Sequence, residues 1–156
     1  MSTNLGSTAL AQVAIVVRDI EAAARKWADV LGMPTPEVII TRPGLEVAQT
    51  YKGVRSSAQA KLAFFNLGQV QLELIEPMGG DSTWQEALDR NGEGLHHLAF
   101  WVDGMQKSVD FLRGRGIPMV QRGDMGEGQY AYFDAEEELG VTLELLERKR
   151  EARAEP

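Results

Sequence analysis

Apolar and polar positions along the chain fall into two matching series. From Ala11, "AQVAIVVRDIEAAARKWADVLGMP" runs as an apolar strand, a short acidic turn, an amphipathic stretch and Gly-x-Pro; from His96, "HHLAFWVDGMQKSVDFLRGRGIP" does the same. Ile20, Ala24, Trp27 and Leu31 recur with the helical period, as do Met105, Val109 and Leu112. Asp19 and Asp103 stand where the N-caps of these predicted helices belong. Further on, "FFNLGQVQLELIE" (64–76) matches "YFDAEEELGVTLELLE" (132–147), each a strand, a turn and a strand. "EVII" (37–40) and "PMVQ" (118–121) supply one more strand per half. Each half therefore reads βαβββ. The predicted organisation is a tail (1–10), a first module (11–77), a linker (78–94), a second module (95–147) and a charged tail (148–156). In the linker, Ser82 and Gln85 suit the capping box of a short helix, with Trp84 as its anchor. "GLEVAQTYKGVRSSAQA" (44–60) is an excursion of the first half alone. The predicted fold class is α+β: two tandem βαβββ modules whose helices cover one face of the sheets, while the other faces form a pseudo-twofold cup.

Strict alternation assigns the faces. Val13, Ile15 and Val17 go to the first helix and Gln12, Ala14 and Val16 to the cup. Leu98, Phe100 and Val102 go to the second helix and His97, Ala99 and Trp101 to the cup; His96 then points the opposite way. In the hairpin strands, Gln71, Glu73 and Ile75, and Thr142, Glu144 and Leu146, share the cup face. Each module thus offers the cup a polar pair: Gln12 with Glu73, and His97 with Glu144. These four make a divalent-metal set. Two carboxylates offset the charge of the ion, imidazole and amide oxygen complete four ligands, and an octahedral ion keeps two open positions. Zn²⁺, Ni²⁺, Co²⁺ and Mn²⁺ all suit it. The competing reading is that both glutamates are solvent-facing residues of half-exposed sheets. Trp101, on the face of His97, is a candidate for the pocket lining.

Charge narrows the partners. A net charge of −7 makes nucleic acid and anionic membranes poor partners, because such a phosphate-binding surface needs a basic excess. With no cysteine there is no disulfide, thiolate zinc site or Cys nucleophile. No apolar run approaches a membrane span, and the first residues lack a basic and an apolar signal region, so a cytoplasmic protein is expected.

The runs "QVAIVVRDIEAAARKWADVLGM", "NLGQVQLELIEP", "DST", "NGEGLHHLAFWVDG" and "GVTLELLE" resemble the vicinal oxygen chelate superfamily of glyoxalases and methylmalonyl-CoA epimerases, over nearly the whole chain. "GLHH", "LELIEP" and "DST" look most like the epimerases. The resemblance implies the paired βαβββ cup, a homodimer, a small-molecule substrate, and a divalent ion held by Gln12, Glu73, His97 and Glu144. It also implies proton abstraction α to a carbonyl, with an enolate stabilised by the ion, Glu144 as the usual base and Glu73 as its repeat mate. The loop "QRGDMGEGQYAYFD" (121–134), a pocket wall in such proteins, offers Gln121, Met125 and Tyr130 as substrate contacts. Three departures matter. Epimerases carry His at position 12. The Arg that glyoxalases use for glutathione is Val16 here. No carboxylate lies between Lys61 and Phe65, where epimerases place a separate base. A glyoxalase I-like lyase and a metal-free, antibiotic-type binding protein are the alternatives. Extradiol dioxygenase chemistry needs two histidine ligands on one face and is not expected.

Overall fold

Two repeat-matched strands meet at the centre of the molecule. In the computed structural model, which describes residues 2–148, β1 (Leu10–Val16) pairs antiparallel with β7 (Gly94–Trp101). Val13 faces Leu98 across this seam, so the pseudo-twofold axis carries Gln12 onto His97 and Ala14 onto Ala99. On either side the modules build outwards. β6 (Gln71–Pro77) runs parallel to β1, followed by β5 (Ala60–Asn66) and the short β2 (Ile39–Ile40). β10 (Thr142–Arg148) runs parallel to β7, followed by β9 (Gly128–Phe133) and β8 (Met119–Met125). The result is a mixed sheet curled into a half-barrel, the paired βαβββ architecture expected.

Each module buries its own helix stripe. Around α1 (Ile20–Leu31), Ile20, Ala24 and Ala28 pack on Phe65, Leu72 and Leu74. Around α3 (Met105–Gly114), Met105, Val109 and Leu112 pack on Phe133, Leu143 and Leu145. Leu31 is 38% exposed, and Ala28 takes its place on the stripe. On the cup side, the linker helix α2 (Thr83–Asn91) sends Trp84 into a third cluster with Ala14, Ile75 and Tyr132. Ser82 caps α2 through the Gln85 amide at 3.1 Å, but the Gln85 side chain turns to Asp89 instead of closing the box.

The helix starts share a device that the local sequence conceals. Asp19 caps α1 through the Ala22 amide as expected, and Glu76 of β6 also accepts from the Ile20 amide at 3.2 Å. In the second module Gly104, not Asp103, occupies the cap position and brings no side chain to it. Glu147 of β10 does the capping, accepting from the Gly104 and Met105 amides at 2.8 and 2.5 Å. The final Glu of each L-E-L-(I/L)-E run thus anchors the helix of its own module, where a carboxylate also meets the positive end of the helix dipole.

Three segments depart from expectation. The 44–60 excursion is a strap. After a 3₁₀ turn (Gly44–Val47) it forms a hairpin, β3 (Thr50–Tyr51) and β4 (Val54–Arg55), turning on Lys52 and Gly53, both with positive φ. β3 pairs with β8 of the other module, completing a ten-stranded sheet in the order β2-β5-β6-β1-β7-β10-β9-β8-β3-β4. Tyr51 donates a hydrogen bond to Glu86 of α2, and Lys52 pairs with the same carboxylate at 3.3 Å. Second, 121–134 is not a loop but the β8–β9 hairpin. Two of its glycines serve close packing: a Cβ on Gly128 would lie 1.9 Å from the Glu147 carbonyl oxygen, and one on Gly123 would lie 2.8 Å from the Tyr130 ring. Third, the turn before β10 holds a short helix, α4 (Glu136–Leu139). The charged tail beyond Arg148 lies outside the described residues. Among those residues no helix is long and apolar enough to cross a membrane.

Candidate functional site

The strand register lays the polar residues in two rows across the seam. Glu73, Ala14 and His97 are lateral neighbours in one row. Gln12, Ala99 and Glu144 are neighbours in the next. Each row reads polar–Ala–polar, and the pseudo-twofold axis exchanges them. Ala14 and Ala99 are both fully buried; their small side chains leave room above the sheet for the longer ones to converge.

Glu73, His97 and Glu144 do converge, with a ligand atom of each within 4.8 Å of the others. Nε2 of His97 lies 2.7 Å from Oε2 of Glu144 and 3.6 Å from Oε2 of Glu73. All three residues are buried. Despite their closeness, His97 Nε2 and Glu144 Oε2 form no aligned hydrogen bond with any group. Buried ligand atoms aimed at one small volume, two of them oxygens of opposite charge to a cation and one an imidazole nitrogen, fit a divalent ion. Gln12 lines the same cavity, and its amide nitrogen donates to Gln71 Oε1 at 2.6 Å. That bond leaves the amide oxygen as the end free to serve the cavity.

Burial and mutual charge set the protonation. Burial drives the His97 pKa down, but the charges of Glu144 and then Glu73 prevail and hold it at about 9. Burial also raises the Glu144 carboxyl, against the opposing charge of His97. The Tyr132 hydroxyl is pushed well above its ordinary value by burial and then by the two glutamates; it accepts from Trp84 Nε1 at 3.0 Å.

A cavity of about 270 Å³ opens above the cluster. Its walls are Leu62 and Phe64 of β5, Met125 and Tyr130 of the β8–β9 hairpin, Trp84, Tyr132 and Leu146, with Val47, Gln49 and Arg42 contributed from in and around the strap. Of the four residues considered for substrate contact, Met125 and Tyr130 line this cavity. Gln121 lies behind the wall, fully buried, accepting from the Thr83 amide at 2.8 Å and donating to the Tyr130 hydroxyl at 3.1 Å. Trp101 stands beside Leu146 in the register, but its ring is covered by the Arg148 guanidinium at 4.3 Å rather than lining the cavity.

His96 corrects the strict alternation. The β1–β7 register steps from Ala14–His97 to Ile15–Leu95, leaving His96 as the extra residue of a β-bulge. A bulge releases its residue from the alternating faces. His96 is therefore not turned away: its Nδ1 lies 2.8 Å from His97 Nδ1, and its ring packs edge-on against Tyr132. Burial, and then the charge of His97, lower its pKa to about 3. Sequence reasoning also missed Tyr132 and the strap as cavity walls. Tyr132 faces Glu144 across the β9–β10 register, so alternation applied to "AYFD" reaches it; the strap joins β8 only through tertiary pairing.

The fold and site define a two-module β-cup with a buried Glu-His-Glu cluster at its seam. Residues 11–133 match the model of the Glyoxalase/Bleomycin resistance protein/Dioxygenase superfamily, and the chain belongs to that family. It is similar to the uncharacterized protein YqjC of Bacillus subtilis, 35% identical over 95 residues, 58% of this chain and 67% of that protein. It is also similar to the mitochondrial methylmalonyl-CoA epimerase of Homo sapiens, 32% identical over 116 residues, 73% of this chain and 56% of the relative. The chain thus spans little more than half the length of the mammalian epimerase. A solved methylmalonyl-CoA epimerase in complex with methylmalonyl-CoA and NH4+ shares the fold with a TM-score of 0.64 at 24% identity, over 91% of this chain and 95% of that one.

Proposed function

We propose that the protein is an epimerase or isomerase that removes and returns a proton α to a carbonyl, with Glu144 and Glu73 as its bases. One observation carries this reading: two buried carboxylates from repeat-equivalent positions flank His97 Nε2 at the floor of one cavity. Epimerisation needs a proton taken from one face of a carbon and given to the other, and paired carboxylates related by a twofold axis suit that symmetry. Burial raises the Glu144 carboxyl, which brings a base closer to the pH at which it must accept and release a proton. Glu73 serves the opposite face. Leu62, Phe64 and Met125 exclude water above the reacting carbon. Glu73, His97, Glu144 and the Gln12 amide oxygen would hold the divalent ion, which when bound supplies Lewis-acid stabilisation of negative charge on two neighbouring substrate oxygens. The epimerase relatives make acyl-CoA thioesters the first substrate class to try, alongside 2-oxo and hydroxylated carbonyl compounds.

The test is uptake of deuterium from D₂O into a panel of these compounds, measured with the metal content of the purified protein. Wild type is expected to exchange and invert at least one of them. Glu144→Gln, nearly isosteric, should lose about 10²–10⁴ in rate. Glu73→Gln should still exchange one enantiomer while inversion stops. Inversion at wild-type rate by both variants would sink the two-carboxylate mechanism. Absence of both metal and exchange would hand the cavity to the alternative reading, a metal-free binding protein.

A further inference from the structure

The seam carries two bulges, and they are related by the pseudo-twofold axis. In β1 the register steps from Leu10–Phe100 to Gln12–Ala99, leaving Ala11 extra; in β7 the extra residue is His96. Each bulge immediately precedes a residue of the candidate ligand set, Gln12 or His97. The two positions differ in chemistry. A ligand amide offers oxygen whatever its proton state, and Gln12 is already oriented by its bond to Gln71; its bulge holds a plain alanine. An imidazole is a ligand only at a bare nitrogen, so His97 must carry its proton on the other one. Its bulge holds a second imidazole.

We propose that His96 is a positioning residue that fixes the ring tautomer of His97, accepting a hydrogen bond from His97 Nδ1–H so that Nε2 is presented bare to a divalent ion between Glu73 and Glu144. This inference rests on the metal reading of the site. Two ring nitrogens 2.8 Å apart share one proton between them. If His96 were the donor, neutral His97 would carry its proton on Nε2, where it would block ligation. With His97 as donor, Nε2 is free. The carboxylates 2.7 and 3.6 Å from Nε2 favour a metal cation there, and a neutral imidazole that gives Nε2 to the ion carries its proton on Nδ1. His96 is 4% exposed and its ring is wedged against Tyr132, so the acceptor is held in place. Because that acceptor is an uncharged ring, it orients His97 without adding a third negative charge beside two glutamates.

The test compares wild type with His96→Asn, which keeps an acceptor oxygen near the place of Nδ1, and His96→Phe, which keeps the ring without it. Two readouts are taken: Zn²⁺ affinity by chelator competition, and the protonation of each ring nitrogen by long-range ¹H–¹⁵N spectra of ¹⁵N-histidine-labelled protein. The expected result is a protonated Nδ1 on His97, Zn²⁺ affinity reduced about 10–100-fold in His96→Phe, and most of it recovered in His96→Asn. Affinity unchanged in His96→Phe, or equal losses in both variants, would overturn the proposal, as would a spectrum with the shared proton on His96. Should His96→Phe fail to fold, His96→Asn and the wild-type spectrum decide. If wild type takes up no Zn²⁺, the metal reading fails by itself, and the metal-free spectrum still identifies the donor.

Discussion

At the scale of single residues, Gln121 shows how a polar group in the right strand can serve the wall instead of the cavity. Its carboxamide joins the first turn of α2 to the Tyr130 hydroxyl. Gln121→Leu keeps the volume but leaves the buried Thr83 amide without this partner, while the Tyr130 hydroxyl keeps its bond to Gln49. The expected cost is about 1–3 kcal/mol for the unsatisfied amide, read as a lower urea midpoint. A Gln121 that bound substrate directly would instead change affinity at unchanged midpoint. Glu73, His97 and Glu144 were legible because alternation and the repeat both placed them on the cup face. His96 was not, since a bulge arises from the register between two strands and neither strand alone encodes it.

At the scale of elements, the helix caps illustrate the same limit. Asp19 sits next to the helix it caps, whereas Glu147 comes from a strand more than forty positions away in sequence from Met105. Burial raises the Glu147 carboxyl, but bonds from the Gln129 side chain and the Met105 and Gly104 amides outweigh it and hold it below its ordinary value. The folded protein therefore binds less proton at this group than the unfolded chain does. Its contribution is fully present above the unfolded value, about 4.3, and is lost as pH falls through the lower folded one. Glu147→Gln should cost about 1 kcal/mol at neutral pH, in the range of other lost caps. In thermal melts at a series of pH values, the gap between variant and wild type should shrink on the acid side. A gap independent of pH would mean that the carboxylate charge is not what anchors α3. The β8–β9 hairpin read as a loop, yet its Gly123 and Gly128 are there because neighbouring groups come too close for a Cβ; the strap was not legible because its partner strand, β8, lies in the other module.

At the scale of the molecule, both ends of the sheet are apolar edges. Ile39 and Ile40 on β2 are 50% and 55% exposed, and Val54 on β4 is 69% exposed. Unpaired apolar edges of this kind are normally covered. A homodimer is the expected assembly, and light scattering at tens of micromolar, roughly, should return twice the monomer mass, since stable dimers persist there. A monomer at that concentration would leave the edges to another partner. The crossed-over strap has a different consequence, for how the chain comes into being. Its β3 strand waits for β8, about 70 residues later, and β1 waits for β7. On the ribosome the first module therefore emerges with the β1 edge and the strap both unpaired. The last cluster residue, Glu144, follows the first, Glu73, by about 70 residues. Pairings so distant in sequence slow folding. An ion cannot act as an early nucleus for this protein, because its cradle does not exist until the two halves have already found each other.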